Sequence, residues 1–210
     1  MAKNFIEKIK KWITIQKIKQ YLSIDGWLTE NEAIGLYRIA QSLGRNAVCV
    51  EIGSWQGKST YCISKGLRDG TVFSIDPFDA GTGASDHENS IVYLKQKGES
   101  DLMSIFKSNM AKLGTAGKIV VKRGYSADFH LDFNNIDFLF IDGDHSIEGC
   151  KLDFDLYSQK IRQGGFIAFH DYYHNRPELG PTYVINEIIS KGNDFIFYRQ
   201  FDSLWIGRKS

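Results

Sequence analysis

Five short runs with apolar interiors, each followed by a turn or a stretch of helical period, constrain this 210-residue chain more than anything else in it. They are Ala47–Ile52, Thr71–Ile75, Lys118–Lys122, Ile136–Ile141 and Gly165–Phe169. Each has the length of a strand, and none alternates polar with apolar. Helices are expected between them over Ser59–Leu67, over 91–113 in one piece or two about Gly98, and over Ser146–Gln163. In the last of these Ile147, Cys150, Phe154, Tyr157 and Ile161 recur at helical spacing. Strands that are apolar on both faces belong to a parallel sheet covered on both sides. A helix over Pro181–Ser190 opens with proline, which suits a first turn. Phe195–Tyr198 and Leu204–Gly207 are close enough to finish the chain as a hairpin.

The segment before this alternation has another character. Residues 4–22 place Phe5, Ile6, Ile9, Trp12, Ile13, Ile18 and Tyr21 among Lys8, Lys10, Lys11, Lys17 and Lys19. This is an amphipathic basic helix, with a break expected near Thr14. It reads as an N-terminal arm over residues 1–25 that packs on the body (26–210) or on a second copy, compatible with a homodimer. Contact with a membrane surface is the less expected alternative. Thr29 followed by Glu32 forms a capping box that starts a helix over 30–43, ended by Gly44.

Composition narrows the function classes. A net charge of +1 gives no broad footprint for nucleic acid. No run approaches the ~20 apolar residues of a membrane span, and the start has no secretion-signal core. Cys49, Cys62 and Cys150 are odd in number, lie inside predicted elements and form no C-x-x-C. They read as reduced, buried thiols of a cytoplasmic protein.

In parallel sheets ligands sit beyond the carboxyl ends of the strands. Those ends here carry Glu51 and Gly53, then Asp76, then Ser126, then Asp142, Asp144 and His145, then His170 and Asp171. The first is followed by Gly53-Ser-Trp-Gln-Gly57-Lys58-Ser59, one residue short of a phosphate loop. Glu51 and Asp76 beside it would repel a triphosphate, although Phe138–Asp142 has the form of a magnesium-placing strand. An acid about 20 residues after the glycines, as Asp76 is, binds ribose hydroxyls in dinucleotide and adenosine sites. The pattern lacks a full G-x-G-x-x-G, so a pyrophosphate is poorly served. A cationic adenosine ligand such as S-adenosylmethionine fits better, and Lys58 then reads as a helix-start surface residue.

Taken together, Glu51–Thr60, Ile75-Asp76-Pro77, Ile141–Gly149 and Gly164–Tyr172 resemble class I S-adenosylmethionine-dependent methyltransferases. The likeness is to the small bacterial "methyltransferase domain 24" type, related to macrocin O-methyltransferase and cephalosporin-hydroxylase-like proteins. It covers about residues 26–207. It implies a Rossmann-like, doubly wound α/β fold: a seven-stranded, mostly parallel sheet with an antiparallel last strand, helices on both faces and extra N-terminal helices. It implies that Glu51, Gly53, Ser54, Gly57 and Ser59 surround the methionine end of S-adenosylmethionine, that Asp76 holds the ribose, and that Ser126 lies by the adenine. Asp142 borders that cofactor site. It also implies a divalent metal on Asp142, His170 and Asp171, a set whose histidine moves preference from magnesium toward manganese, iron or zinc. Without metal, His145 or His170 serves as base, and Asp144 is a third proton acceptor.

The activity expected is O-methylation of a hydroxyl on a small molecule or sugar, in polysaccharide or natural-product tailoring. Tyr172, Tyr173 and His174 follow on a loop over the site. Asp79–Ser90, with His87 and Glu88, reads as a loop or lid. Two other readings stand beside this one: a nicotinamide-dependent oxidoreductase, and a catalytically silent binding protein of the same fold.

Overall fold

The computed structural model describes residues 2–79 and 101–210. Most of the expected lid, with His87 and Glu88, and the first part of the helix expected over 91–113 lie outside these residues. Seven strands form one sheet in the order β3-β2-β1-β4-β5-β7-β6. They are β1 (Ala47–Ile52), β2 (Gly70–Asp76), β3 (Ile119–Arg123), β4 (Ile136–Ile141), β5 (Ile161–Phe169), β6 (Phe195–Phe201) and β7 (Leu204–Lys209). β1 to β5 pair in parallel, while β7 runs antiparallel to both β5 and β6. Strand order reverses between β1 and β4, which places the ligand crevice at their carboxyl ends.

The helices are α1 (Ala2–Ile18), α2 (Glu30–Ser42), α3 (Lys58–Gly66), α4 (Leu102–Lys112), the short α5 (Ser126–Phe129), α6 (Ile147–Tyr157) and α7, which starts at Gly180–Tyr183 and continues as π and 3-10 turns to Lys191. Side chains alternate across β4. Phe138 and Phe140 meet α2, α3 and α4 through Leu36, Ile63 and Phe106. Leu139 and Ile141 meet α6 and α7 through Cys150, Tyr157 and Ile185. The sheet thus carries a core on each face. The three cysteines are free and buried, and burial pushes their thiols well above the usual range.

Three expectations change. α1 is continuous through Thr14, whose hydroxyl donates to the Lys10 carbonyl at 2.8 Å and so is satisfied within the helix. α1 buries Thr14 and Ile18 and half-buries Lys11 and Ile15 against the body, and Phe5, Ile6, Ile9, Trp12 and Ile13 face away from it. The helix expected through Gln163 ends at Tyr157, and β5 begins at Ile161 rather than Gly165. Ile161 stands four residues after Tyr157 and so mimics a further helical turn, but it pairs with Ile136 in the sheet. The register then slips before Phe138 meets Phe166, with Gly164 at φ +73° at the irregularity. The capping box of α2 is present as expected: Thr29 N–H donates to Glu32 at 2.8 Å, and Glu32 N–H donates to the Thr29 hydroxyl at 3.3 Å.

Candidate active site

The glycine loop leaves β1 against the end of β4. Gly53 has φ +85°, and a Cβ there would lie 2.1 Å from the Asp142 carbonyl oxygen. Only glycine can pass so close. Gly57 is left-handed at the start of α3. Asp76, buried at the end of β2, holds the loop from below. Its Oδ2 accepts from Ser54 N–H and Trp55 N–H, each at 2.8 Å, and its Oδ1 accepts from Phe78 N–H at 2.6 Å. Three of its roughly four acceptor positions are taken by backbone, leaving one on Oδ1. Burial raises its pKa, against these three bonds. Lys58 turns the other way: its ammonium donates to the Gly26 carbonyl at 2.9 Å and lies over the Tyr21 ring. The loop is therefore no lysine-bearing phosphate cradle.

Glu51 stands behind this loop with no solvent exposure. Its Oε2 accepts from Ser54 at 3.0 Å, from Ser74 at 3.3 Å and from Thr60. Burial lifts its pKa to about 7, opposed by hydroxyls that include Ser59 and Thr60. Its Oε1 is buried with no hydrogen-bond partner among the described residues. A buried acceptor left open costs about 1–3 kcal/mol, so this oxygen is suited to a donor or cation brought by a ligand.

Ser126 opens α5 after β3. Its hydroxyl donates to Asp153 on α6, and its carbonyl accepts from Tyr157 at 2.7 Å. Burial raises the pKa of Asp153 to about 7, opposed by the Ser126 bond and assisted by the Asp144 charge.

The second half of the site gathers at the ends of β4 and β5. His170 Nδ1 lies 3.1 Å from Asp142 Oδ1 and 3.4 Å from Asp171 Oδ2. His145 Nε2 lies 3.6 Å and 3.5 Å from the same two oxygens. On its far side His170 Nε2–H donates to Glu32 Oε2 at 3.3 Å. Glu32 Oε1 accepts from the Ser203 N–H at 3.0 Å and its hydroxyl at 2.7 Å. Burial alone would lower the His170 pKa, but the Asp142 charge and bonds to Asp142, Asp171 and Glu32 raise it well above the usual range. Burial would likewise raise Asp142 and Glu32, yet the histidines hold Asp142 at about 2, and His170 and Ser203 hold Glu32 at about 2. The three carboxylates want a cation at their centre. Either the His170 ring is that cation, or the proton stays on Nε2 and the Nδ1 lone pair faces the gap between Asp142 and Asp171. Asp171 has φ +55°, a conformation that non-glycine residues occupy at a cost.

A divalent metal fits that second state. Ligand atoms of Asp142, His170 and Asp171 all lie within 4.8 Å of one another. Adjacent ligands about 2.1 Å from a metal are separated by roughly 3.0–3.4 Å, close to the two histidine–carboxylate distances here. One nitrogen and two carboxylates suit manganese, iron or zinc. Glu32 completes the carboxylate–histidine arrangement that orients metal-bound imidazoles. S-adenosylmethionine also fits: the Gly53 loop is bare backbone, and the Glu51 oxygen buried behind it is an acceptor left open.

Of the residues expected to move a proton, the structure groups His145 and His170 but not Asp144. Asp144 is exposed and accepts the Ser146 N–H at 2.8 Å at the start of α6. Tyr173 reaches back so that its hydroxyl donates to Asp171 at 3.3 Å, while the Tyr172 hydroxyl donates to Asn186. Glu32, Ser203 and Asp153 are missed by sequence reasoning. Glu32 is hidden because the capping box accounts for it fully. Asp153 lies one helical turn from Cys150 and Tyr157 on the apolar side of α6, and that placement was its available signal.

Residues 50–172 match the family described as methyltransferase domain. An uncharacterized protein of Acanthamoeba polyphaga mimivirus is 32% identical over 151 residues, which are 67% of this chain and 58% of that protein. The chain thus spans less than two thirds of that relative's length. Among solved structures, the O-methyltransferase from Bacillus cereus in complex with SAH superposes with a TM-score of 0.61 at 16% identity, covering 93% of this chain and 90% of that one. The O-methyltransferase TomG from Streptomyces achromogenes, in complex with SAM, gives 0.62 at 15% identity, covering 94% and 89%. At these identities the likeness is one of fold.

Proposed function

The chain belongs to the methyltransferase domain family, and from that premise we propose that it transfers a methyl group from S-adenosylmethionine to a hydroxyl of a small molecule or sugar. One observation carries the reading. Gly53, in front of the buried Glu51, passes so close to the Asp142 carbonyl that the glycine loop and the strand end bearing the carboxylate–histidine cluster lie side by side where the strand order reverses. The bound SAM and SAH of the structural relatives support the cofactor.

Glu51 Oε1 and the backbone after Gly53 would receive the methionine end, and the remaining Asp76 acceptor would face the ribose. Ser126 and Asp153 would border the adenine. S-adenosylmethionine, once bound, supplies a methyl group already activated by its sulfonium. Asp142, His170 and Asp171 would hold a divalent cation, which lowers the pKa of a hydroxyl beside it. Glu32 keeps a proton on His170 Nε2 and so keeps Nδ1 toward the carboxylates. His145 stands at the rim of the cluster with its Nε2 buried beside the Asp142 and Asp171 oxygens, and that nitrogen would accept the hydroxyl proton once the acceptor is seated there. The Asp142 and Asp171 charges beside it stabilise the imidazolium that results.

Calorimetric titration with S-adenosylmethionine and S-adenosylhomocysteine, beside NAD and ATP, tests the cofactor. Micromolar binding of the first pair alone, weakened at least tenfold by Glu51→Gln, is expected. Binding of NAD or ATP instead would overturn the reading.

A further inference from the structure

α1 carries apolar residues on two opposite sides, and the fold uses one of them. Thr14, Ile15 and Ile18 face the body. The helix is fastened there by Lys11 to Glu30 at 3.0 Å and by the Glu7–Arg38 pair at 3.8 Å. At about 100° per residue, Phe5, Ile6, Ile9, Trp12 and Ile13 occupy a sector roughly 120° wide centred opposite Ile18, with Gln16 the polar side chain within it near the helix's carboxyl end. All five are exposed, Phe5 at 66% and Trp12 at 63%. Lys8 lies along one border of this sector, and Lys10 and Lys17 along the other; all three are exposed.

We propose that this outward face of α1 lays the protein on an anionic lipid bilayer. An apolar sector with lysines on both borders matches a headgroup boundary: aromatic and aliphatic side chains enter the acyl region while lysine stems lie along it and hold their charges at the phosphates. The charge distribution selects the same occupant. α1 has five lysines against one glutamate, in a chain whose net charge is +1. The rest of the chain therefore carries more acids than bases, and the excess of positive charge lies on this helix. A second copy fits worse. Two such faces in contact would bring lysine borders together, and Glu7, the one acid on the helix, already faces Arg38. At 17 residues α1 is about 25 Å long, and no helix among the described residues is long and apolar enough to cross a membrane. The helix lies on the surface rather than through it.

Vesicle flotation of the full chain tests this, with liposomes of phosphatidylcholine alone and with ~30% phosphatidylglycerol. The expected result is binding at least tenfold tighter to the anionic vesicles, lost in high salt. Trp12→Gln with Ile13→Gln, and separately Lys8, Lys10 and Lys17→Gln, should each weaken it at least tenfold. Because these side chains are exposed, circular dichroism and melting temperature should not move. Equal binding to both vesicle types, no binding to either, or binding unchanged in the variants overturns the proposal. So does a dimer by light scattering that the Trp12/Ile13 variant dissociates, which would make the face a self-interface.

Discussion

Glu32 Oε2 and His170 Nε2 lie 3.3 Å apart, across 138 positions of sequence, and both are buried. One carboxylate starts a helix with one oxygen-rich face of its capping box and orients the central imidazole of the candidate site with the same group.

Replacing Glu32 separates these two roles. Glu32→Gln keeps an acceptor for the Thr29 N–H but removes the charge that keeps His170 protonated on Nε2. Divalent-metal affinity should fall ~10–100-fold while the fold persists. Glu32→Ala should also remove the acceptor of the Thr29 N–H, the reciprocal half of the capping box, costing ~1 kcal/mol more. Metal titration by calorimetry and urea unfolding of both variants check this. Equal metal affinity in wild type and Glu32→Gln would sink it.

His145 and Asp142 should separate in the same way. Asp142→Asn should abolish both metal binding and turnover. His145→Gln should lower kcat at least ~100-fold with metal affinity unchanged. If the second variant also loses metal, His145 is a ligand rather than the proton acceptor.

Gly53→Ala places a methyl 2.1 Å from the Asp142 carbonyl at φ +85°. The loop must move or the strand ends must part. A loss of stability on the order of 2 kcal/mol or more is expected, with cofactor binding lost. Urea midpoints of the two proteins give the stability, and titration of the still-folded variant gives the affinity.

Asp153 gives a pH dependence of definite sign. Its folded pKa, about 7, lies above the ordinary carboxyl value because burial penalises the charged form. The folded state therefore holds a proton that the unfolded state has released between about pH 4 and 7. Stability from this group is present below pH 4 and is lost as pH rises through 7. Relative to Asp153→Asn, the wild type should weaken over that window by at most ~3–4 kcal/mol. Parallel urea titrations from pH 4.5 to 8 measure it; a flat difference would refute the assignment.

The parts of the fold that depend on local pattern were readable. β1, β2 and β4 have apolar interiors because the sheet is covered there, whereas the edge strand β3 leaves Val120 exposed, and the acids that end β1, β2 and β4 gather at the carboxyl rim of the sheet. Ile161 was misread because one apolar residue at a spacing of four serves a helix or a strand equally well. The His145–His170 cluster was readable because its members follow strands directly. Its support was not. Glu32 lies in another element and Ser203 in the β6–β7 turn, and each has a local explanation that conceals the distant one. Lys58 is a third case: the acids beside its loop already argue against a phosphate and leave it a surface residue at a helix start, and the position of Gly26 shows that it starts the helix half-buried with its charge on a carbonyl.

The bond between Glu32 and His170 also sets how the chain can be divided. The family match spans 50–172, so a fragment cut to it would keep Asp142, His145, His170 and Asp171. It would lose the acceptor of the Nε2 proton and the Ser203 turn that holds that acceptor. The candidate site is not a portable module. Its outermost support is anchored in the opening helices, so a homologous graft or a truncation must carry both ends of the chain to carry the chemistry.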